Sequence, residues 1–419
     1  MSEVKALVPR LRFPEFLNAE AWKPVSLAEA SVLVIERVGQ RKLTPVSISA
    51  GIGFVPQSEK FGRDISGNQY QLYTLVSDGD FAYNKGNSLK FPQGCIYQLQ
   101  NWGQVAAPNV FICFRLKDDY SAKFFNNCFE QNIHGKQLKK HITSGARSNG
   151  LLNISKEHFF GVEIPTPRPA EQQKIADCLS SVDELIAALA RKVDALRTHK
   201  KGLMQQLFPR EGETQPRLRF PEFQNAVEWE PKSIGKLGEV VTGSTPSTAQ
   251  PEYYVGDRLF VSPADISDSR FVEKTKTTLT SLGFEETRPI KANSVLFVCI
   301  GSTIGKIAQN RHECATNQQI NSVIPNLNNS DGFVYYALSS MAAKISKLAG
   351  IQAVPIVNKS IFSSVELAAP ELPEQERIAD CLSAIDEAIL AQTEKLAALK
   401  THKKGLMQQL FPSAEEVEG

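Results

Sequence analysis

Apolar residues recur in alternating steps of four and three along two stretches of the chain, residues 171–209 and 374–412. In the first they fall at Ile175, Leu179, Val182, Ile186, Leu189, Val193, Leu196, Leu203 and Leu207, broken at Lys200. In the second they fall at Ile378, Leu382, Ile385, Ile389, Leu396, Leu399, Leu406 and Leu410, with Gln392 and Lys403 as the polar interruptions. Such spacing lays one apolar stripe along a helix and, sustained over several heptads, predicts a coiled-coil seam. Prolines frame both stretches: Pro165, Pro167 and Pro169 before the first, Pro370 and Pro373 before the second, and Pro209 and Pro412 after them. A proline cannot continue a helix, so the framing sets the ends. Two helices of roughly 50 to 55 Å are expected to pair and to act as a ruler.

The two stretches are copies. They begin EQQKIADCLS and EQERIADCLS and both end THKKGLMQQLFP. A second string, RLRFPEF, occurs at residues 10–16 and 217–223, each time ahead of a tryptophan, Trp22 and Trp229. The chain therefore reads as a duplicated unit of opening string, globular segment and long helix. Its expected divisions are a first globular domain over 1–169, a first helix over 170–209, a second globular domain over 210–373, and a second helix with a tail over 374–419. Between the copies the helices are nearly the same, whereas the globular segments hardly resemble each other. A constant frame with two different contents implies two different targets.

Inside the first segment, YQLYTLV (70–76), CIYQL (95–99) and VFICFRL (110–116) predict strands, and a helix is expected over 121–131. Inside the second, residues 294–308 predict a buried strand turning through glycines, and a helix is expected over 332–348. Mixed strands and helices in both segments imply an α+β class.

With 419 residues, 42% hydrophobic and 22% charged, the chain has the composition of a globular protein of at least two domains. The seven cysteines form no C-x-x-C pair and no apolar run is long enough to span a bilayer, so a cytoplasmic location is expected. A net charge of only +2 means that any nucleic-acid contact must come from local patches.

Catalytic motifs are missing from the sequence. Gly301-Ser302-Thr303-Ile304-Gly305-Lys306 has one residue too few for a phosphate loop, and Ile307 stands where a hydroxyl is required. Gly51-Ile52-Gly53 lacks the third glycine of a dinucleotide site, and His312-Glu313-Cys314 lacks the second cysteine pair of a zinc site. No nucleophile elbow, no H-E-x-x-H and no methyltransferase cofactor loop occurs. The chain is expected to do no chemistry itself and to bind no metal or cofactor.

Polar loops carry the side chains that read base edges: Asn and Gln suit adenine, Arg and Lys guanine, and Ser and Thr either bases or phosphates. In the first segment the candidates are Tyr83, Asn84, Lys85, Asn87, Lys90, Lys139, Lys140, Arg147 and Asn149. In the second they are Ser244, Thr245, Ser247, Thr248, Lys306, Arg311, Asn317, Gln318 and Gln352. For Asn317 and Gln318 the alternative is satisfaction of buried backbone, weighed equally. His199, Lys200, Lys201 and Gln205, with their equivalents His402, Lys403, Lys404 and Gln408, are candidates for docking a partner, because THKKGLMQQLFP is identical at positions the heptad does not fix. The other reading of Lys200 and Lys403 is a register-fixing polar position in the seam.

Taken together, the RLRFPEF strings, EQ-x-x-IADCLS helix starts, THKKGLMQQLFP helix ends, TGSTPS, and GSTIGK followed by ATNQQIN resemble a DNA specificity subunit of a Type I restriction-modification system, over essentially the whole chain. The resemblance implies two target-recognition domains at opposite ends of an antiparallel helix pair, each reading half of a split DNA site. It also implies partners: double-stranded DNA, two modification subunits that use S-adenosylmethionine to methylate adenine, and two restriction subunits that use ATP and Mg. A coiled-coil adaptor binding only proteins remains the alternative, and steep salt dependence of DNA binding separates the two.

Overall fold

The computed structural model describes residues 7–86, 91–142, 152–210, 212–350 and 354–412. Contacts divide the chain into two units, one within 1–188 and 396–419, the other within 189–395. The two long helices, Pro169–Leu207 and Leu372–Leu410, are 39 residues each, and the division falls near the middle of both. Each unit thus holds the start of one helix and the end of the other. Every expected seam position is buried or half-buried, whereas Leu185 and Leu390, off the stripe, are exposed. Among the described residues no helix is long and apolar enough to cross a membrane.

The first unit contains β1 (Lys23–Ser26), β2 (Ser31–Leu33), β3 (Thr44–Ser49), β4 (Gly53–Pro56), β5 (Thr74–Ser77), β6 (Phe81–Asn84), β7 (Cys95–Gln98), β8 (Gln104–Ala107), β9 (Ile112–Leu116) and β10 (Glu163–Thr166). β1 pairs with β10, one sheet runs β2-β9-β6-β7, and another runs β4-β3-β8-β5 with β3 and β8 parallel. The expected strand over 70–76 is shorter: Gly67–Leu72 is a 3-10 helix, and pairing begins at Thr74. The expected helix is Ala122–Glu130.

The second unit contains β11 (Glu230–Ser233), β12 (Gly238–Thr242), β13 (Tyr254–Val261), β14 (Phe271–Val272), β15 (Thr277–Leu279), β16 (Val295–Val298), β17 (Ile307–Asn310), β18 (Cys314–Thr316), β19 (Ile320–Pro325) and β20 (Glu366–Ala369). β11 pairs with β20, one sheet runs β12-β19-β16-β17-β14, and another runs β15-β13-β18 with β13 and β18 parallel. The expected helix is Asp331–Lys347. Two segments with little sequence in common share one topology: β2, β9, β6 and β7 correspond to β12, β19, β16 and β17, and the parallel pair β3–β8 to β13–β18.

The repeated strings explain why. In the first unit Arg12 of RLRFPEF makes a two-pronged ion pair with Glu171, with both contacts at 2.7 Å. In the second, Arg219 holds Glu374 in the same way at 2.8 and 2.7 Å. The glutamine that follows each glutamate clips the start of a helix earlier in the chain. Gln172 accepts from the backbone N–H of Ser121 and donates to the carbonyl of Pro167, both at 2.9 Å. Gln375 does the same with Ser330 at 3.0 Å and Pro370 at 2.9 Å. Ser121 and Ser330 are themselves the N-caps of Ala122–Glu130 and Asp331–Lys347, satisfying backbone donors the helices leave open.

An aromatic triad closes each unit. Phe411 lies 6.0 Å from Trp22 and 5.4 Å from Phe124, and Phe208 lies 6.4 Å from Trp229 and 5.6 Å from Phe333, ring centre to ring centre. Leu410 and Phe411 share a core with Ile175 and Leu179, and Leu207 and Phe208 share one with Ile378 and Leu382. In each unit the end of one helix thus meets the start of the other, so the helices run antiparallel. Burying such side chains stabilises by about 2 kcal/mol apiece, which makes these helix ends part of each domain core.

Candidate nucleic-acid interface

In the second unit three connections converge at one end of the sheets. The loop after β12 is laced to the β18–β19 loop. Ser244 N–H donates to the carbonyl of Thr316, at the end of β18, at 2.9 Å and Thr245 Oγ1 to Gln318 Oε1 at 2.6 Å, while at the adjoining strand ends Thr242 Oγ1 of β12 donates to Asn321 Oδ1 of β19 at 2.7 Å. Gly243 permits the approach, since a Cβ there would stand 2.2 Å from the carbonyl of Asn317. The β16–β17 hairpin joins through Cys299 N–H to the carbonyl of Gln319 at 2.8 Å, and its glycines 301 and 305 take the positive φ values of 93° and 94° that a tight turn needs. The sequence string GSTIGK is therefore a hairpin turn.

This arrangement sorts the candidates. Thr245, Ser247, Thr248 and Gln318 are exposed on the converging loops, and Ser244 sits half-buried among them. Asn317 instead organises its own turn: Oδ1 accepts from Gln319 N–H at 3.1 Å and Nδ2 donates to Gln319 Oε1 at 3.0 Å. Half-buried, it satisfies one backbone N–H of that turn. Lys306 folds onto the β13–β14 connection, donating to the carbonyl of Ile266 at 3.1 Å. Arg311 follows β17 at the end away from the hairpin turn, ion-paired with Glu273 at 3.2 Å and stacked 3.9 Å over Phe271. Lys306 is exposed at the end of the hairpin turn that is the third converging connection, whereas Arg311 is not brought to these loops. Gln352 lies outside the described residues.

In the first unit Tyr83 is no surface residue. Its ring is 0% exposed, stacks 4.7 Å from Phe159, and donates its hydroxyl to the carbonyl of Gln93 at 2.7 Å. Strand alternation continues one residue further than the polar look of YNKGNSLK suggests, and turns Tyr83 into the core. Asn84 braces its own hairpin, accepting from Gly86 N–H at 2.8 Å and donating to the carbonyl of Ile48 at 3.3 Å. Lys85 is half-buried beside it and accepts through its carbonyl from Leu152 N–H at 2.9 Å. Lys139 and Lys140 are exposed on the 3-10 turn Lys139–His141. Asn87, Lys90, Arg147 and Asn149 lie outside the described residues.

Shared topology points to residues the sequence reading missed. The counterparts of the laced loops of the second unit are the β2–β3 and β8–β9 connections of the first. They carry Arg37, Arg41, Lys42 and Asn109, all exposed. Here too the loops are joined side chain to side chain, Arg37 Nη1 donating to Asn109 Oδ1. A basic cluster around Gly39 was the signal available; no local pattern ties it to Asn109.

On the helices, Lys200 donates to Asp386 at 2.6 Å, and Lys403 to Asp183 at 2.8 Å with Glu130 at 3.5 Å. Their side chains are only 19% and 15% exposed. Both side chains turn into the seam and pair with carboxylates there, the geometry of the register-fixing reading, and little of either is left facing outward. His199, Lys201, Gln205, His402, Lys404 and Gln408 are exposed. Among the described residues no group of three or more His, Cys, Asp or Glu could hold a metal ion.

Comparison with known proteins bears on what such a pair of units is for. A family model described as Type I restriction modification DNA specificity domain matches residues 71–197 and 226–401. The chain is 34% identical over 147 residues to the Type I restriction enzyme HindI specificity subunit of Haemophilus influenzae, covering 34% of this chain and 32% of that one. To the EcoR124I/EcoR124II specificity subunit of Escherichia coli it is 26% identical over 250 residues, covering 56% and 58%. These matches span less than two thirds of either relative. The fold matches the crystal structure of a Type-I restriction-modification system S subunit from M. genitalium with a TM-score of 0.59 at 14% identity, over 97% of this chain and 99% of that one.

Proposed function

The chain belongs to the Type I restriction modification DNA specificity family, and from that membership we propose that it is the DNA-reading subunit of a restriction-modification complex, with each unit reading one half of a bipartite, asymmetric site. It is a recognition subunit rather than a catalyst. Its partners are double-stranded DNA, two modification subunits that methylate adenine with S-adenosylmethionine, and two restriction subunits that cleave with ATP and Mg, all acting in the cytoplasm. The exposed faces of the helix ends, with Lys201, Gln205, Lys404 and Gln408, are the proposed docking surface for the modification subunits.

The observation that carries this reading is the recurrence of two laced polar loops at the same topological place in both units, with different side chains, on a frame held by the same Arg–Glu and Ser–Gln contacts. A constant frame lets the loops change without loss of fold. Hydrogen bonds from such loops discriminate base edges, while contacts to phosphate supply affinity.

The test is a segment exchange in the assembled complex. Residues 22–165 are replaced by the corresponding segment of a relative with a different target, and methylated sites are mapped by sequencing. One half of the recognised sequence should change and the other stay. Both halves changing together would defeat the two-reader model. Binding that is insensitive to salt would favour a protein-only adaptor.

A further inference from the structure

The side-chain pair that joins the two loops of the first unit has an unusual remainder. Asn109 Oδ1 accepts from Arg37 Nη1 and, at 3.3 Å, from Thr74 Oγ1. With its oxygen facing inward, the amide must turn Nδ2 outward, and that group has no partner among the described residues. Arg37 gives both hydrogens of Nη1 inward, to Asn109 and to the carbonyl of Leu72 at 2.6 Å. What it leaves is the Nε–Nη2 edge, a two-pronged donor.

The loop that carries Arg37 is held in shape. Leu75 N–H donates to the carbonyl of Glu36 at 2.8 Å, and Val38 N–H to that of Tyr73 at 2.9 Å. Tyr70 hydroxyl accepts from Leu43 N–H at 2.6 Å and lies 2.9 Å from the carbonyl of Arg41. The guanidinium is thus oriented before any ligand arrives, which lowers the entropy lost on binding. Outward, the pair offers donors and no acceptor. The equivalent pair in the second unit differs: Thr245 gives its hydroxyl hydrogen to Gln318, so an oxygen lone pair and an amide N–H both remain.

We propose that Arg37 and Asn109 form a specificity-determining pair that recognises a guanine through O6 and N7 in the half-site read by the first unit. Guanine presents two adjacent acceptors in the major groove; adenine and cytosine each place a donor there, which would face a donor of this pair. This rests on the DNA-reading role proposed above. A phosphate oxygen shares the acceptor chemistry of guanine, but it would be indifferent to sequence.

The experiment uses the complete complex and a library of bipartite sites randomised in both halves, with methylated products sequenced. Asn109→Asp keeps the oxygen that Arg37 and Thr74 need but removes the outward donor, so it tests reading without dismantling the loop. Arg37→Lys keeps the charge but loses the fork. Wild type should select a G·C pair at one position of one half-site. Both variants should lose that selection by about ten- to a hundredfold while every position of the other half-site is kept. Arg37→Lys behaving as wild type, or uniform weakening across all sequences with a shallower salt slope, would mark a phosphate contact and overturn the proposal. Unchanged selection in Asn109→Asp would also overturn it. A wild-type complex that selects no sequence at all would instead defeat the DNA-reading role itself.

Discussion

Arg12 and Glu171 show how one repeated string becomes structure. Their side chains are 6% and 2% exposed, and the carboxylate also accepts from the Trp22 indole N–H at 3.2 Å. Removing the guanidinium would leave a charge buried beside an aromatic core, so Arg12→Ala should cost the first unit about 3 kcal/mol. Native-state hydrogen exchange of β6 and β9 would read the loss, while β16 and β19 serve as the internal control. A second residue gives the same unit a pH dependence. His134 is buried against the rings of Tyr83 and Phe129, and burial pushes its pKa down to about 4. The unfolded imidazole takes up a proton near pH 6.5, whereas the folded one resists until about 4. Between those values the unfolded state binds more protons, so stability is fully present above pH 6.5 and falls as pH drops through the window, by roughly 3 kcal/mol. His134→Leu should flatten that slope in denaturant midpoints measured from pH 7 to 4. An unchanged slope would place the acid sensitivity elsewhere.

At the scale of elements, the long helices were legible because a period of three and a half residues sustained over about nine turns has no competing interpretation. The helices Ala122–Glu130 and Asp331–Lys347 were legible to within a residue or two because their serine caps announce them. The sheets were not. Their strands are two to eight residues long, and β3 meets β8, and β13 meets β18, in parallel across wide gaps in sequence that local pattern cannot bridge. The same limit hid Arg37 and Asn109, which only topology brings together, whereas TGSTPS and ATNQQ stood out by composition. Within the helices the lysines of the seam pair with carboxylates, as a register-fixing position would. Lys200 shares Asp386 with the Tyr336 hydroxyl, which donates at 2.6 Å, and its ammonium stands 5.1 Å over that ring. Lys200→Met should therefore destabilise the second unit by about 1 kcal/mol, since the pair is partly open to water. Lys201→Ala, on the outer face, should leave the unfolding midpoint where it is. Equal effects of the two would argue against a seam role for Lys200.

For the whole molecule, the two ends of the described chain belong to one unit. Leu7 and Phe411 share a core cluster, and Leu11 N–H donates to the carbonyl of Gln409 at 2.9 Å. The second unit repeats this contact inside a continuous chain, with Leu218 N–H donating to the carbonyl of Gln206 at 3.0 Å. There the helix end and the next RLRFPEF are joined by a connection near 210–216; in the first unit the same contact forms with no covalent link. The chemistry of the contact therefore does not require the link. A permuted chain that joins Gly419 to Met1 through a short linker and begins within residues 210–216 should fold, because the described residues of that connection belong to neither a strand nor a helix. It should keep both halves of its recognised sequence in methylation maps of the assembled complex. Hydrogen exchange of β12 and β16 should stay as slow as in the parent chain, since the Arg219–Glu374 pair and the triad of Phe208, Trp229 and Phe333 would now hold the second unit without the connection. If those strands exchanged rapidly in the permuted chain while the first unit stayed protected, the covalent connection, and not the repeated contacts, would be what closes the second unit.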